Sequence, residues 1–141
     1  MTVKRATSED DIATCLAIRR VVFIEGQNVP EQEEVDGKDP DCLHFIFRKG
    51  EKALATARVL PKGDAAKIQR VAVLEQVRLR GIGSFLMRAI LDELRTHHAF
   101  EKAILGSQTH AIGFYEKLGF TAHGPVYDDA GIPHRDMELV L

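Results

Sequence analysis

The hydrophobic period of this chain changes abruptly near its middle. AKIQRVAVL (residues 66–74) alternates with a period of two, which predicts a strand with Ile68, Arg70 and Ala72 on one face and Gln69, Val71 and Val73 on the other. From residue 82 onward, Ile82, Leu86, Ala89, Ile90 and Leu94 recur at helical spacing. Between them RLRGIGS (78–84) must turn a strand into a helix. The pattern returns later, where the apolar run KAILGS (102–107) precedes the short helix HAIGFYEKL (110–118) and its capping Gly119. Strands that feed helices in this way exclude all-helical and all-strand folds.

The flanking segments complete a mixed α/β order. Residues 2–6 alternate like a short strand, and Ser8 can cap the helix that follows, with acids in its first turn. Ile12, Leu16, Arg19 and Phe23 mark one helical face, which Cys15, Ile18 and Val22 widen. CLHFIFR (42–48) and KALATARVLP (52–61) read as a hairpin. The uninterrupted apolarity of 102–107 predicts a strand buried on both faces. Strands at about 120–127 and 135–141 flank a loop, DDAGIPH. The order βα(loop)βββαβαββ fits one domain, 1–141.

Charge and composition narrow the function classes. A formal charge of −2 gives no general drive toward nucleic acid or anionic membrane, so neither is expected as a partner. MTVKRATSEDD has no signal-peptide apolar core, and no run approaches a membrane span. Cys15 and Cys42 belong to no CxxC pattern and read as reduced thiols of a cytoplasmic protein. His97, His98, His110 and His123 have no metal-ligand spacing, so no metal is expected.

Local charge is more informative. Residues 76–88 hold Arg78, Arg80 and Arg88 without an acid, whereas 25–41 hold seven acids against one lysine, a local −6. The RLRGIGS junction has two readings. It is a tight turn with solvated arginines, or it is an anion site built from the free N–H groups of a helix start, with Gly81 and Gly83 removing Cβ atoms. A dinucleotide fingerprint would need glycine where Leu86 stands, and a P-loop would need a Gly-Lys-Ser/Thr end.

Arg70-Val71-Ala72-Val73, the Arg78-x-x-Gly81-x-Gly83 turn and Phe114-Tyr115-Glu116-Lys117-Leu118-Gly119-Phe120 together resemble the GNAT superfamily of acyl-CoA-dependent N-acyltransferases. VFIEGQNVPEQEEVDGKD and DDAGIPHRDM look like its small ElaA-like branch, although Gly26 replaces the acid more common there. The resemblance implies a mostly antiparallel twisted sheet, helices on both faces, and a splayed parallel pair (68–74 and 102–107) that binds the cofactor. It implies acetyl-CoA as co-substrate and an amine of a small molecule or peptide as acceptor. Homodimerisation through the final strands is common among such proteins. A catalytically idle acyl-CoA-binding module is the alternative function.

Site roles carry over residue by residue. Val71, Ala72 and Val73 offer backbone to pantetheine, while Arg78, Leu79, Arg80, Gly81, Ile82, Gly83 and Ser84 surround the pyrophosphate. Phe114 and Gln108 border the cofactor, Gln108 standing where many relatives carry asparagine. Tyr115 occupies the position of the general acid that protonates the leaving thiolate, or it is simply a packed core tyrosine. The Val73 N–H is the candidate for polarising the thioester carbonyl. Candidates for the base are His134, His44 and Glu34, with Glu33 and Asp36 beside them. The acceptor is expected between 25–41 and 128–134, with Arg58 or Arg70 for an anionic group and Glu33 or Asp36 for a cationic one. The acidic segment either steers a cationic acceptor or is merely solvated.

Overall fold

The computed structural model describes residues 1–141. One seven-stranded sheet runs in the order β1-β2-β3-β4-β5-β7-β6. Its strands are β1 (Thr2–Arg5), β2 (Leu43–Lys49), β3 (Lys52–Lys62), β4 (Ala65–Val73), β5 (Lys102–Gln108), β6 (Thr121–Asp129) and β7 (Ile132–Val140). Every pairing is antiparallel except β4 with β5, which are joined through a helix and lie parallel. The helices are α1 (Glu9–Arg19), α2 (Glu31–Glu34), α3 (Ile82–His97) and α4 (Ile112–Glu116).

The two sheet faces carry separate cores. On one, Ile82, Leu86, Met87, Ile90, Leu91 and Leu94 of α3 pack on Phe45 and Phe47 of β2 and on Ala57 and Val59 of β3. On the other, Cys15 of α1 packs on Ile46, and Ile18 and Val22 pack on Ala72. Burial of this apolar surface, at about 25 cal/mol per Å², stabilises the helices far more than their own propensity does.

Ser8 caps α1 as its sequence predicts, accepting a hydrogen bond from the Asp11 N–H at 3.1 Å. The buried stripe of that helix is Cys15, Ile18, Arg19 and Val22, while Leu16 is exposed, so the apolar face is rotated from the expected one. A wide π turn (Arg20–Glu25) continues α1 and carries Val22 and Phe23 toward the sheet.

Three further expectations change. β5 is buried on one face only, through Ala103, Leu105 and Ser107, because no helix covers the other face. The segment DDAGIPH is not an open loop. β6 and β7 close on each other through Ala130 and Gly131 alone, both left-handed at φ 55° and 79°, as a two-residue hairpin turn requires. The third change lies in β4. Its register against β3 slips between Thr56↔Ala72 and Arg58↔Gln69, so Arg70 and Val71 stand opposite the single Ala57. Arg70 has φ 54°, a left-handed conformation that costs a residue with a Cβ about 1–2 kcal/mol. The bulge breaks the alternation, so Ile68 joins the α3 core and Ala72 the α1 core, on opposite faces.

Candidate active site

β4 and β5 pair only over Ala65–Lys67 with Lys102–Ile104 and then diverge. Beyond the bulge the Leu74 N–H donates to the Leu54 carbonyl at 3.0 Å, so Leu74 faces β3. By strand alternation the backbone groups of Val73, and of Val71 two residues earlier, point into the gap. The gap opens into a cleft of about 680 Å³. Val71, Val73, Arg78, Leu79, Gly81, Ile82, Gly83 and Ser84 line it from the β4–α3 side, and Gln108, Phe114 and Tyr115 line it from the β5–α4 side. The sequence-predicted donor residues therefore converge, with two exceptions. Ala72 turns its methyl into the α1 core, leaving only its backbone near the cleft, and Arg80 lies outside the lining.

The α3 start has the form of an anion cradle. Leu79 (φ 66°) and Gly81 (φ 78°) curl the loop, and Gly81 supplies no side-chain cap to the helix. The first-turn N–H groups from Ile82 onward are left with the helix's positive end. A Cβ on Gly83 would stand 3.3 Å from the Phe114 ring. Arg78 donates from Nε to the Val73 carbonyl at 2.9 Å, tying the loop to the strand edge.

Tyr115 is held by aromatic neighbours. Phe114 meets its ring edge-on at a centroid distance of 5.0 Å and Phe120 at 6.0 Å. Burial pushes its phenol up to about 12, so it remains a protonated donor throughout the neutral range. Gly113, two residues earlier, would meet no protein atom with a Cβ, so no neighbouring strand demands a glycine there.

The other half of the cleft rests on the uncovered sheet face. His134 donates from Nδ1 to the Ile132 carbonyl at 2.7 Å; a carbonyl can only accept, so Nδ1 carries a proton, and in the neutral imidazole Nε2 keeps its lone pair. The ring stacks on Tyr127 at 6.0 Å and 25°. The Tyr127 hydroxyl donates to Asp136 Oδ1 at 2.8 Å and lies over Gly106, where any Cβ would overlap it. Burial, then Asp136, push the Tyr127 phenol up to about 12. Lys67 lines the same wall, its ammonium lowered by burial and by Lys62. Gln27, Gln108 and His110 form an amide clasp: the two glutamines exchange bonds of 3.2 and 3.0 Å, and His110 Nε2 is 2.7 Å from Gln108 Oε1.

Several expected acceptor and base residues are engaged elsewhere. Arg58 is fully buried, donating to Gln69 at 3.0 Å, to Asp36 at 2.6 Å and to Asp39 at 2.9 Å, and it does not line the cleft. Buried away from the cleft and with four of its five N–H donors engaged, it is not placed to bind an acceptor carboxylate. Asp36 is correspondingly an ion-pair partner, held well below the usual carboxylate range by Arg58. His44 is buried behind this network, with Nε2 at 2.9 Å from the Asp39 carbonyl, and is outside the cleft lining. Glu34, 3% exposed, meets Arg19 at 2.8 Å and Arg70 at 2.6 Å. Its Oε1 accepts from Arg19 Nε, whereas its Oε2 lies against Arg70 Nε as a charge contact without hydrogen-bond geometry, so the carboxylate borders the cleft but faces two arginines rather than an incoming amine. Of the acids considered, Glu33 lines the cleft without an ion-pair role in that network.

With Glu34, Asp36 and Asp39 bound to Arg19, Arg58 and Arg70, and Glu31 paired to Arg20, most of the −6 of residues 25–41 is neutralised in the fold. Tyr127, Asp129, Lys67 and Gln27 were not anticipated as cleft residues. Their signal was weak because 128–134 resembles a loop, and the Ala-Gly turn that makes it a hairpin is short.

The comparisons with known proteins agree with this geometry. Residues 16–141 match the family model described as an acetyltransferase (GNAT) domain, and the chain belongs to that family of acyl-CoA-dependent acetyltransferases. Protein ElaA of Escherichia coli is 37% identical over 136 residues, covering 92% of this chain and 88% of that protein. Its crystal structure superposes with a TM-score of 0.86 over 97% of both chains. A putative N-acetyltransferase structure from Lactobacillus plantarum gives a TM-score of 0.91 at 25% identity, covering 99% of this chain and 97% of that one. An uncharacterised N-acetyltransferase of Bacillus subtilis is 33% identical over 94% of both chains.

Proposed function

We propose that this protein moves an acetyl group from acetyl-CoA directly to the primary amine of a small molecule or peptide. The observation that carries the reading is convergence: the free β4 edge, the α3 start and the Tyr115 hydroxyl-bearing ring all border one cleft. The edge at Val71 and Val73 is shaped to pair with a peptide-like pantetheine arm as an extra strand, save for the Val73 carbonyl, which Arg78 occupies. The N–H groups of the α3 start and Arg78 suit the pyrophosphate. The N–H of Val73, with that of Val71 on the same edge, would polarise the thioester oxygen without reorganisation.

Tyr115 then protonates the leaving thiolate. A free thiol titrates near 8.5, well below a phenol raised by burial, but the same low-dielectric surroundings raise a thiolate beside it. The mismatch between donor and acceptor is correspondingly smaller than solution values suggest. His134 Nε2, unprotonated in the tautomer its carbonyl partner selects, takes the proton lost by the attacking amine. Asp129, Glu33 and the Tyr127 ring favour an amine that carries further positive charge. A thiol-release assay with acetyl-CoA against diverse amines, polyamines, amino sugars and peptides tests the reading. Turnover with an amine supports it, and CoA binding without turnover on any amine would favour a binding module.

A further inference from the structure

Apart from Glu33, the acids of the segment that follows α1 have no part in the cofactor and acceptor roles described above. The segment's three inward carboxylates and three arginines from different elements form a closed alternating ring. Arg19 of α1 meets Glu34 at 2.8 Å, Glu34 meets Arg70 of β4 at 2.6 Å, and Arg70 reaches Asp36 at 3.4 Å. Asp36 meets Arg58 of β3 at 2.6 Å, Arg58 meets Asp39 at 2.9 Å, and Asp39 returns to Arg19 at 2.8 Å. Arg70 also donates to the Glu33 and Glu34 carbonyls at 3.2 and 3.4 Å. Arg19, Arg58 and Glu34 are each at most 3% exposed, so losing a partner on that side of the ring leaves an uncompensated buried charge, while Arg70, Asp36 and Asp39 are partly exposed.

Arg70 is the member that matters for chemistry. It is the left-handed residue of the β4 bulge, and Val71 and Val73, directly beyond it, present the free edge of the cleft. A left-handed residue bearing a Cβ persists only where its surroundings over-determine it. Here the guanidinium is held within one segment by hydrogen bonds to two carbonyls and Asp36 and by the opposite charge of Glu34, whose Oε2 lies 2.6 Å from Nε without hydrogen-bond geometry. We propose that the ring is a positioning device for the acetyl-CoA site: Glu34, with Asp36 behind it, locks Arg70 and so sets the backbone edge that receives pantetheine and polarises the thioester. Glu34 and Asp36 are positioning residues and touch no reacting atom. The inference rests on the proposed docking of the cofactor arm along Val71–Val73.

The test measures CoA affinity by calorimetry and melting temperature in parallel, well below the transition. Glu34→Gln keeps shape but removes charge, and is expected to weaken CoA binding about tenfold, the order expected when a left-handed Cβ residue loses its restraint. Glycine adopts that conformation freely, so adding Arg70→Gly to Glu34→Gln should return CoA affinity to within about threefold of wild type, while the melting temperature stays lowered. A merely structural ring would not separate the two readouts. If Glu34→Gln does not fold, Asp36→Asn, on the more exposed side of the ring, takes its place with the same rescue. Wild-type CoA affinity in the folded single variant, or no recovery in the double variant, overturns the inference. Failure of the wild type to bind CoA would instead overturn the proposed function.

Discussion

Gly83 faces the Phe114 ring at the mouth of the cleft, so closely that a Cβ on Gly83 would sit 3.3 Å from Phe114 Cζ and 3.8 Å from a Val73 methyl. This contact joins the helix that follows β4 to the helix that follows β5, across the gap where those strands separate. The missing side chain therefore serves both the packing of Phe114 and the approach of a ligand to the α3 backbone.

Gly83→Val should weaken acyl-CoA binding strongly, because the branched side chain both displaces Phe114 and covers the first-turn amides. Arg80→Ala should weaken it only modestly, since Arg80 does not line the cleft. Calorimetric titration with CoA checks the pair, and equal dissociation constants for Gly83→Val and wild type would contradict the cradle.

Tyr115→Phe should lower kcat by about a hundredfold, within the usual range for a general acid, with acyl-CoA affinity little changed. Burial pushes the Tyr115 phenol up to about 12. The acid form is therefore retained on raising the pH, and kcat should show no descending limb from this group below about pH 10. A stopped pH–rate series on the wild type and the Phe variant distinguishes the two; an unchanged kcat in Tyr115→Phe removes it as the acid.

His134→Asn should reduce kcat by about a hundredfold while leaving CoA affinity intact, since the ring lines the cleft from β7 rather than from the α3 start. Tyr127→Phe, which removes the 2.8 Å bond to Asp136, should instead alter the acceptor KM. Full steady-state kinetics with both substrates varied separates these effects, and a changed acetyl-CoA KM in either variant would argue against the assignment of the two halves.

The ion-pair ring should make stability acid-sensitive. Hydrogen bonds from Arg58 lower Asp36, and for Asp39 the bonds from Arg19 and Arg58 outweigh the opposing effect of burial. Both carboxyls thus titrate lower when folded than when unfolded. Their contribution is complete above the ordinary carboxylate range, about pH 4, and is lost as the pH falls through the lower folded values. Melting temperature measured against pH should drop below about pH 4, and Asp36→Asn should flatten that drop. An equally steep drop in the variant would exclude Asp36 from the effect.

Much of the donor side was legible in the residues. The change of period at 74–82, the Gly81 and Gly83 spacing and the Gly119 cap are local signals, because turns and helix ends are dictated by nearby backbone requirements. The Ser8 cap is of the same kind. The acceptor side was far less legible. Arg58, His44 and Asp36 are residue types that serve acceptors and bases, and nothing in their spacing reveals that Arg58 and Asp36 pair with each other or that His44 meets the Asp39 carbonyl.

The sequence by itself determined the order of strands and helices, the glycine-bearing βα junction before α3, and the position of Tyr115 after β5. These follow from periodicity and from conformations that glycine alone adopts easily. Only the tertiary structure decided which face of β4 each residue takes after the Arg70 bulge, that Ala130-Gly131 closes a hairpin, and that the acids of 25–41 are largely neutralised by ion pairs. The reason is that charge pairing and register depend on residues far apart in the chain. Arg19, Arg58 and Arg70 acquire their partners only when α1, β3 and β4 come together.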